Sequence, residues 1–234
     1  MPMSFIHKTN SRSTPTTILI AFALICCATF ARAESSPFLS FSMIKTAQSA
    51  GGLEATIFDG GSWFKVRKLV HCAVLVRHPK GDFLYDVGMG TAVEEQMSSF
   101  GFLDRQLFKI EALNPAITQL TNNAYDPKSL MAIIPGHMHW DHASGIEDFP
   151  GVPVWIQNGS LDEAKTGHAP AFLQTQFDAP DIRWQTLTLT PESYRGFSPS
   201  LDVFGDGSVV LVDLSGHTVG QVGMFLTLPD GARY

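Results

Sequence analysis

Pro135-Gly136-His137-Met138-His139-Trp140-Asp141-His142 places three histidines and an aspartate within a few positions of one another. It follows directly on an apolar run, Leu130-Met131-Ala132-Ile133-Ile134, of buried-strand length. Imidazoles and a carboxylate gathered at a strand end are costly unless a cation orders and neutralises them. In an extended segment residues i and i+2 point to the same side, so His137 and His139 can hold one ion together. Asp141 and His142 follow where Ala143-Ser144-Gly145 reads as a turn into a helix, so they can face a second position nearby. Ser215-Gly216-His217-Thr218-Val219-Gly220 is a second strand-to-loop junction, with flanking glycines that let the backbone bend and bring His217 inward. His137, His139 and His217 would then supply three nitrogens and leave a fourth tetrahedral position for water, the open arrangement of a catalytic zinc site.

Outward from this stretch, Val70 to Val76, the turn Pro79-Lys80-Gly81-Asp82 and Phe83 to Gly88 read as a β-hairpin. Residues 34–52 are rich in Ser and Gly and read as an irregular entry. Thr91 to Ala112 carries apolar residues at helical spacing, with Gly101 as a break, and Asn114-Pro115 signals a further helix start. Val154 to Ile156, Trp184 to Leu189, Val209 to Val212 and Val222 to Leu226 read as strands, with a helix over 160–165 and a turn at Pro229-Asp230-Gly231. Strands dominate with helices interspersed, which predicts an α+β sandwich of sheets flanked by helices.

The 234 residues are 44% hydrophobic and 16% charged, with 20 Gly and 14 Pro, enough for one large domain with its own core. That composition excludes a disordered tail, a collagen-like repeat and a disulfide-knotted miniprotein. The net charge is −6, and the first 33 residues hold Lys8, Arg12 and Arg32 without an acid, so the remainder is more acidic still. Such a surface repels phosphate backbones, which argues against nucleic acid as a partner. Residues 1–33 read as a signal peptide: a basic start, an apolar run from Ile18 to Ala31, and Ala31-Arg32-Ala33 before the cut. The expected result is an exported protein, periplasmic or secreted, without stable membrane insertion after leader removal. Cys26 and Cys27 leave with the leader, and Cys72, among apolar neighbours, reads as a small buried hydrophobe.

These motifs resemble those of the metallo-β-lactamase superfamily. The resemblance runs from about residue 66 to the end and implies an αβ/βα sandwich of two mixed sheets, with residues 34–234 forming an incomplete domain. It implies that Asp86, in Tyr85-Asp86-Val87-Gly88, supports the metal loop from behind. Asp141 and His142 match ligands of a second metal, and His217 matches the third ligand of the first. Gly136 departs from the family's usual hydroxyl residue before the first histidine, which predicts a missing hydrogen bond. The family's bridging aspartate and last histidine are expected beyond Tyr234, so the chain reads as a fragment with five of seven ligands, lacking the C-terminal part. Two zinc ions are expected in a complete chain and one in this fragment.

The implied chemistry is hydrolysis by a zinc-bound hydroxide attacking a carbonyl carbon, with Asp141 orienting the nucleophile and moving its proton. The hairpin, Asp86 and Phe149-Pro150-Gly151-Val152-Pro153 resemble the branch of N-acyl homoserine lactonases, which implies a lactone or small ester as the small-molecule substrate. A glyoxalase II-like thioesterase, a β-lactamase and a non-catalytic metal-binding fragment remain open alternatives, as does a homodimer. Phe100, Phe102, Phe108, Trp140 and Phe172 read either as core or as an apolar pocket. His71 reads as structural and His78 as exposed before a turn. Neither they nor His168 receives a ligand role.

Overall fold

In the computed structural model residues 38–234 are described, so the expected leader over 1–33 lies outside the described residues. Among the described residues ten strands build two sheets. The larger sheet contains β1 (Ser40–Leu53), β2 (Val66–Arg77), β3 (Phe83–Tyr85), β4 (Ile110–Leu113), β5 (Ala132–Ile134), β6 (Pro153–Ile156) and β7 (Arg183–Thr186). Its order is β4-β1-β2-β3-β5-β6-β7. The smaller sheet contains β8 (Ser200–Asp202), β9 (Val209–Asp213) and β10 (Val222–Leu226), in the order β10-β9-β8.

The apolar run into the histidines is continuous because β5 is buried on both faces. Ala132 and Ile134 join Val76 and Phe83 against Val209, Leu211, Val222 and Leu226 of the smaller sheet. Ile133 turns the other way, with Leu84, Leu75 and Val154, under a layer that includes Leu120, Ile146 and Phe177. The predicted sandwich of two sheets is therefore present, but only the larger sheet is mixed: the three strands of the smaller one are antiparallel, and helices such as Ala116–Asn122, Trp140–Ala143 and Ser160–Thr166 lie among the connections. Among the described residues no helix is long and apolar enough to cross a membrane.

The hairpin is present as the antiparallel pair β2–β3, with Leu75 opposite Leu84. β3, β5 and β6 run parallel, so Asp86, the 136–142 stretch and residue 157 all leave the sheet at the same end. Loops at the carboxyl ends of parallel strands converge there.

Three expectations are corrected. Residues 40–53 form the long strand β1, paired with β2 from Ser40–Arg77 to Leu53–Val66, so most of the supposed irregular entry is sheet. Its small residues are accommodated at bulges, where β1 shifts register between Lys45 and Ala47 and between Ser49 and Gly52. The 91–112 pattern breaks into Val93–Gln96, a 3₁₀ turn at Met97–Ser99 and Phe102–Leu107, and its last apolar residue, Ile110, begins β4. Pairing of Ala47 with Leu113 and Ser49 with Ile110 overrides the helical spacing there. His78 is buried, with its ring stacked on Phe204 at 3.7 Å and Nε2 3.0 Å from Asp206, because the 202–208 loop folds over the hairpin turn.

Candidate metal centre

Asp86 is the first fixed point. It stands one residue beyond β3 with φ +55°, a left-handed conformation that aspartate tolerates better than most side chains. One carboxylate oxygen accepts the Gly136 backbone N–H at 2.6 Å and the other lies 2.7 Å from His142 Nδ1. The first of these bonds comes from the Gly136 backbone; glycine has no side-chain hydroxyl to add a second one. A side chain at this position has no room, since a Cβ on Gly136 would lie 2.6 Å from Tyr85 Oη. That hydroxyl instead donates to the Val222 carbonyl at 2.7 Å, while the Val222 N–H donates to the Gly136 carbonyl at 2.8 Å. The two bonds tie the start of β10 in the smaller sheet to the histidine loop at the edge of the larger one.

The loop between β9 and β10 is held from the other side. The Val219 N–H donates to Glu163 at 2.8 Å, Ser160 donates to the Val219 carbonyl at 3.1 Å, and the Gly220 N–H donates to Ser215. Gly220, at φ +66°, packs where a Cβ would lie 2.3 Å from Ser160 Oγ. His217 is thereby carried to the larger sheet's histidines. One ring nitrogen from each of His137, His139 and His217 lies within 4.8 Å of the others, with His217 Nε2 3.0 Å from His139 Nδ1. Nitrogens bound to one zinc at about 2.0–2.1 Å fall in this range of mutual separation. The donor set, three imidazole nitrogens, is chemically suited to zinc.

Asp141 and His142 open the short helix Trp140–Ala143 and stand beside the three histidines. The His142 ring centroid is 4.0 Å from that of His137, and its Nε2 is 3.8 Å from Asp141 Oδ2. With Nδ1 bound to Asp86, His142 offers Nε2 toward Asp141, the carboxylate-backed arrangement that favours metal ligation. All five expected ligands and Asp86 thus meet at one sheet edge.

The electrostatics sort them into two kinds. Burial, reinforced by the neighbouring His142 and His139, pushes His137 down to about 3. Burial and His217 push His139 down to about 4. Both imidazoles are neutral at pH 7 and ready to ligate. For His142 burial acts downward but is outweighed by the charge and hydrogen bond of Asp86, which raise it to about 9. Burial would raise Asp141, yet its hydrogen bond to His71 and the charge of His142 hold the carboxyl well below its ordinary value.

His71 is the residue the sequence reading placed outside the site. Its Nδ1 lies 3.5 Å from Asp141 Oδ2 and its Nε2 3.1 Å from Ser49 Oγ. The signal was a polar side chain on the buried face of β2, in line with Ala73 and Leu75. His168 remains exposed. Phe100 and Trp140 pack in a buried aromatic cluster with Phe108, Phe172 touches the His139 ring at 4.8 Å, and Phe102 is exposed.

Residues 67–231 match the family described as Metallo-beta-lactamase superfamily. The chain belongs to that superfamily. Among curated proteins, the N-acyl homoserine lactonase AttM of Rhizobium radiobacter is 25% identical over 161 residues, covering 67% of this chain and 59% of the relative. AttM of Azorhizobium caulinodans is 26% identical over 160 residues, covering 66% and 59%. The chain thus spans about three-fifths of the length of these curated relatives. A solved N-acyl homoserine lactone hydrolase, with N-hexanoyl-L-homoserine bound at its catalytic metal center, superposes with TM-score 0.61 at 18% identity over 84% of this chain and 72% of its own. AidC, a dizinc quorum-quenching lactonase, gives TM-score 0.52 at 15% identity over 82% and 69%. At these identities the superpositions establish a shared metallo-β-lactamase fold.

Proposed function

We propose that this protein is a zinc-dependent hydrolase that opens a lactone or small ester. The observation that carries the reading is the convergence of His137, His139 and His217 within reach of one ion. The lactonase relatives direct the choice of substrate. His137, His139 and His217 would hold the first ion, and Asp141 and His142 would contribute to a second. When bound, zinc supplies Lewis acidity that makes water a competent nucleophile near neutral pH and polarises a carbonyl.

The protein's own groups do the rest. Asp141, kept ionised, accepts a hydrogen bond from the attacking water and aims it at the carbonyl carbon. A new C–O bond forms to that water oxygen, the ester C–O bond breaks, and Asp141 relays the proton to the departing alkoxide. Asp86 keeps His142 oriented, and the ring of Phe172 against His139 walls one side of the centre. The basic, apolar start of the chain supports export with cleavage after Ala33, so the mature protein is expected to begin at Glu34 when its N-terminus is sequenced.

The test is hydrolysis of an N-acyl homoserine lactone, a thioester and a cephalosporin by zinc-loaded protein, before and after thorough chelation. Lactone opening that is lost on chelation and restored by zinc supports the reading. Preference for the thioester or cephalosporin would reassign the substrate, and full activity after chelation would overturn the mechanism. Tightly bound zinc without turnover would make the chain a metal-binding protein.

A further inference from the structure

β2 continues past the end of β3, whose last paired residue, Tyr85, faces Val74. His71 therefore stands on the overhang, above the edge where the metal-site loops emerge. Its backbone is fixed by the first bulge of β1. Thr46 is left out of the register between Lys45–Cys72 and Ala47–His71, and its hydroxyl donates to the His71 carbonyl at 3.0 Å. The same hydroxyl accepts the Met89 N–H at 3.0 Å, so one side chain ties the His71 strand to the segment that follows Asp86. Bulges beside functional sites commonly serve to aim a side chain in this way.

The ring itself bridges a buried hydroxyl and the Asp141 carboxylate. Ser49 is fully buried, and His71 is 5% exposed and tilted against Trp140 with centroids 5.9 Å apart. An ionised carboxylate only accepts, so the His71 nitrogen facing it carries a proton. With that proton on Nδ1, Nε2 is left to accept from the Ser49 hydroxyl, a tautomer fixed by the hydrogen-bond pattern.

We propose that Ser49 and His71 form a positioning relay for Asp141: the acceptor-only carboxylate selects the Nδ1–H tautomer of His71, Ser49 Oγ–H donates to Nε2 and holds the ring in place, and Nδ1–H keeps Asp141 Oδ2 in its orientation toward the position shared with His142. The inference rests on the metal-centre reading above and extends it to a residue that touches neither ion nor substrate. Its consequence is selective. The ion held by His137, His139 and His217 should be indifferent to the relay, whereas the ion contacting Asp141 should depend on it. Loss of a partner that orients a ligand costs about 10–100-fold in metal affinity.

Three variants separate positioning from packing. His71→Asn retains a nitrogen where Nδ1 stands, His71→Gln places one where Nε2 stands, and Ser49→Ala removes the hydroxyl. Zinc titration with a competing chelator is expected to show the more weakly held ion weakened at least tenfold in His71→Gln and within about threefold of wild type in His71→Asn. The tighter ion should be unchanged in both. In the zinc-free protein, long-range ¹H–¹⁵N spectra should report the Nδ1–H tautomer of His71 in wild type and in Ser49→Ala, while Ser49→Ala, with the ring no longer held at Nε2, should weaken the more weakly held zinc severalfold. Equal loss in the Asn and Gln variants, or the opposite tautomer in wild type, would overturn the relay. Failure of the underlying reading looks different, because wild type itself would then bind no zinc, whereas wild type that takes up a single zinc would overturn the relay, which needs a second ion beside Asp141.

Discussion

Asp86 Oδ2 and His142 Nδ1 stand 2.7 Å apart, and the other oxygen of that carboxylate holds the Gly136 N–H at 2.6 Å. One side chain in a left-handed backbone thus sets both the entry of the histidine loop and the orientation of its last histidine. Asp86→Asn keeps an acceptor for Gly136 but presents an amide N–H to His142, favouring the tautomer with hydrogen on Nε2. Zinc held through Asp141 and His142 is expected to weaken about 10–100-fold, with the three-histidine ion much less affected. Competitive titration of both ions checks this.

Gly136→Ala introduces a methyl group 2.6 Å from Tyr85 Oη and 3.1 Å from Cζ of the same ring. The overlap is expected to destabilise the fold by about 1–3 kcal/mol in urea unfolding. Tyr85→Phe removes the nearer atom at the expense of the bond to the Val222 carbonyl, so the double variant should lose less than the two single losses combined.

The zinc-free protein is expected to be most stable near pH 6.5. Below that pH the unfolded chain protonates the histidines that His137 and His139, at about 3 and 4, leave neutral when folded, so stability falls as the pH drops. His142, raised to about 9, acts in the opposite direction: its contribution is complete below 6.5 and is lost as the pH rises through 9. Urea midpoints measured with excess chelator at pH 5, 6.5 and 9.5 test both limbs. Zinc competes with the His142 proton, so uptake beside Asp141 should strengthen as the pH rises toward 9.

His217→Ala removes one of three nitrogens and is expected to weaken the tighter zinc by roughly two orders of magnitude, about a quarter of the binding energy of a four-ligand site. Glu163→Ala only releases the Val219 N–H that steadies the His217 loop, a loss of about 1 kcal/mol or roughly fivefold in affinity. Calorimetric titration of the two variants should preserve that order.

Much of this centre was legible before any tertiary contact was considered. The spacing of His137, His139, Asp141 and His142 lies within a single strand-to-helix junction, and the hairpin and the strands β5, β6, β9 and β10 carry their patterns locally. β1 was obscured because its small and glycine residues stand at bulges, where pairing with β2 supplies what propensity does not. Ile110 followed a helical period that pairing with Ser49 overrode. His78 lies beside a turn, and its burial depends on Phe204 and Asp206, more than a hundred residues later.

Short-range patterns in the chain carried the motifs that resemble the family, most of the strands and helices, and the residue types able to hold a metal. Only the tertiary structure brought His217 to His139 across 78 residues, set Gly136 against Tyr85, and placed His71 on Asp141. Those contacts arise where two sheets and an overhanging strand meet. Their distances depend on register and packing, which no local pattern of residues encodes.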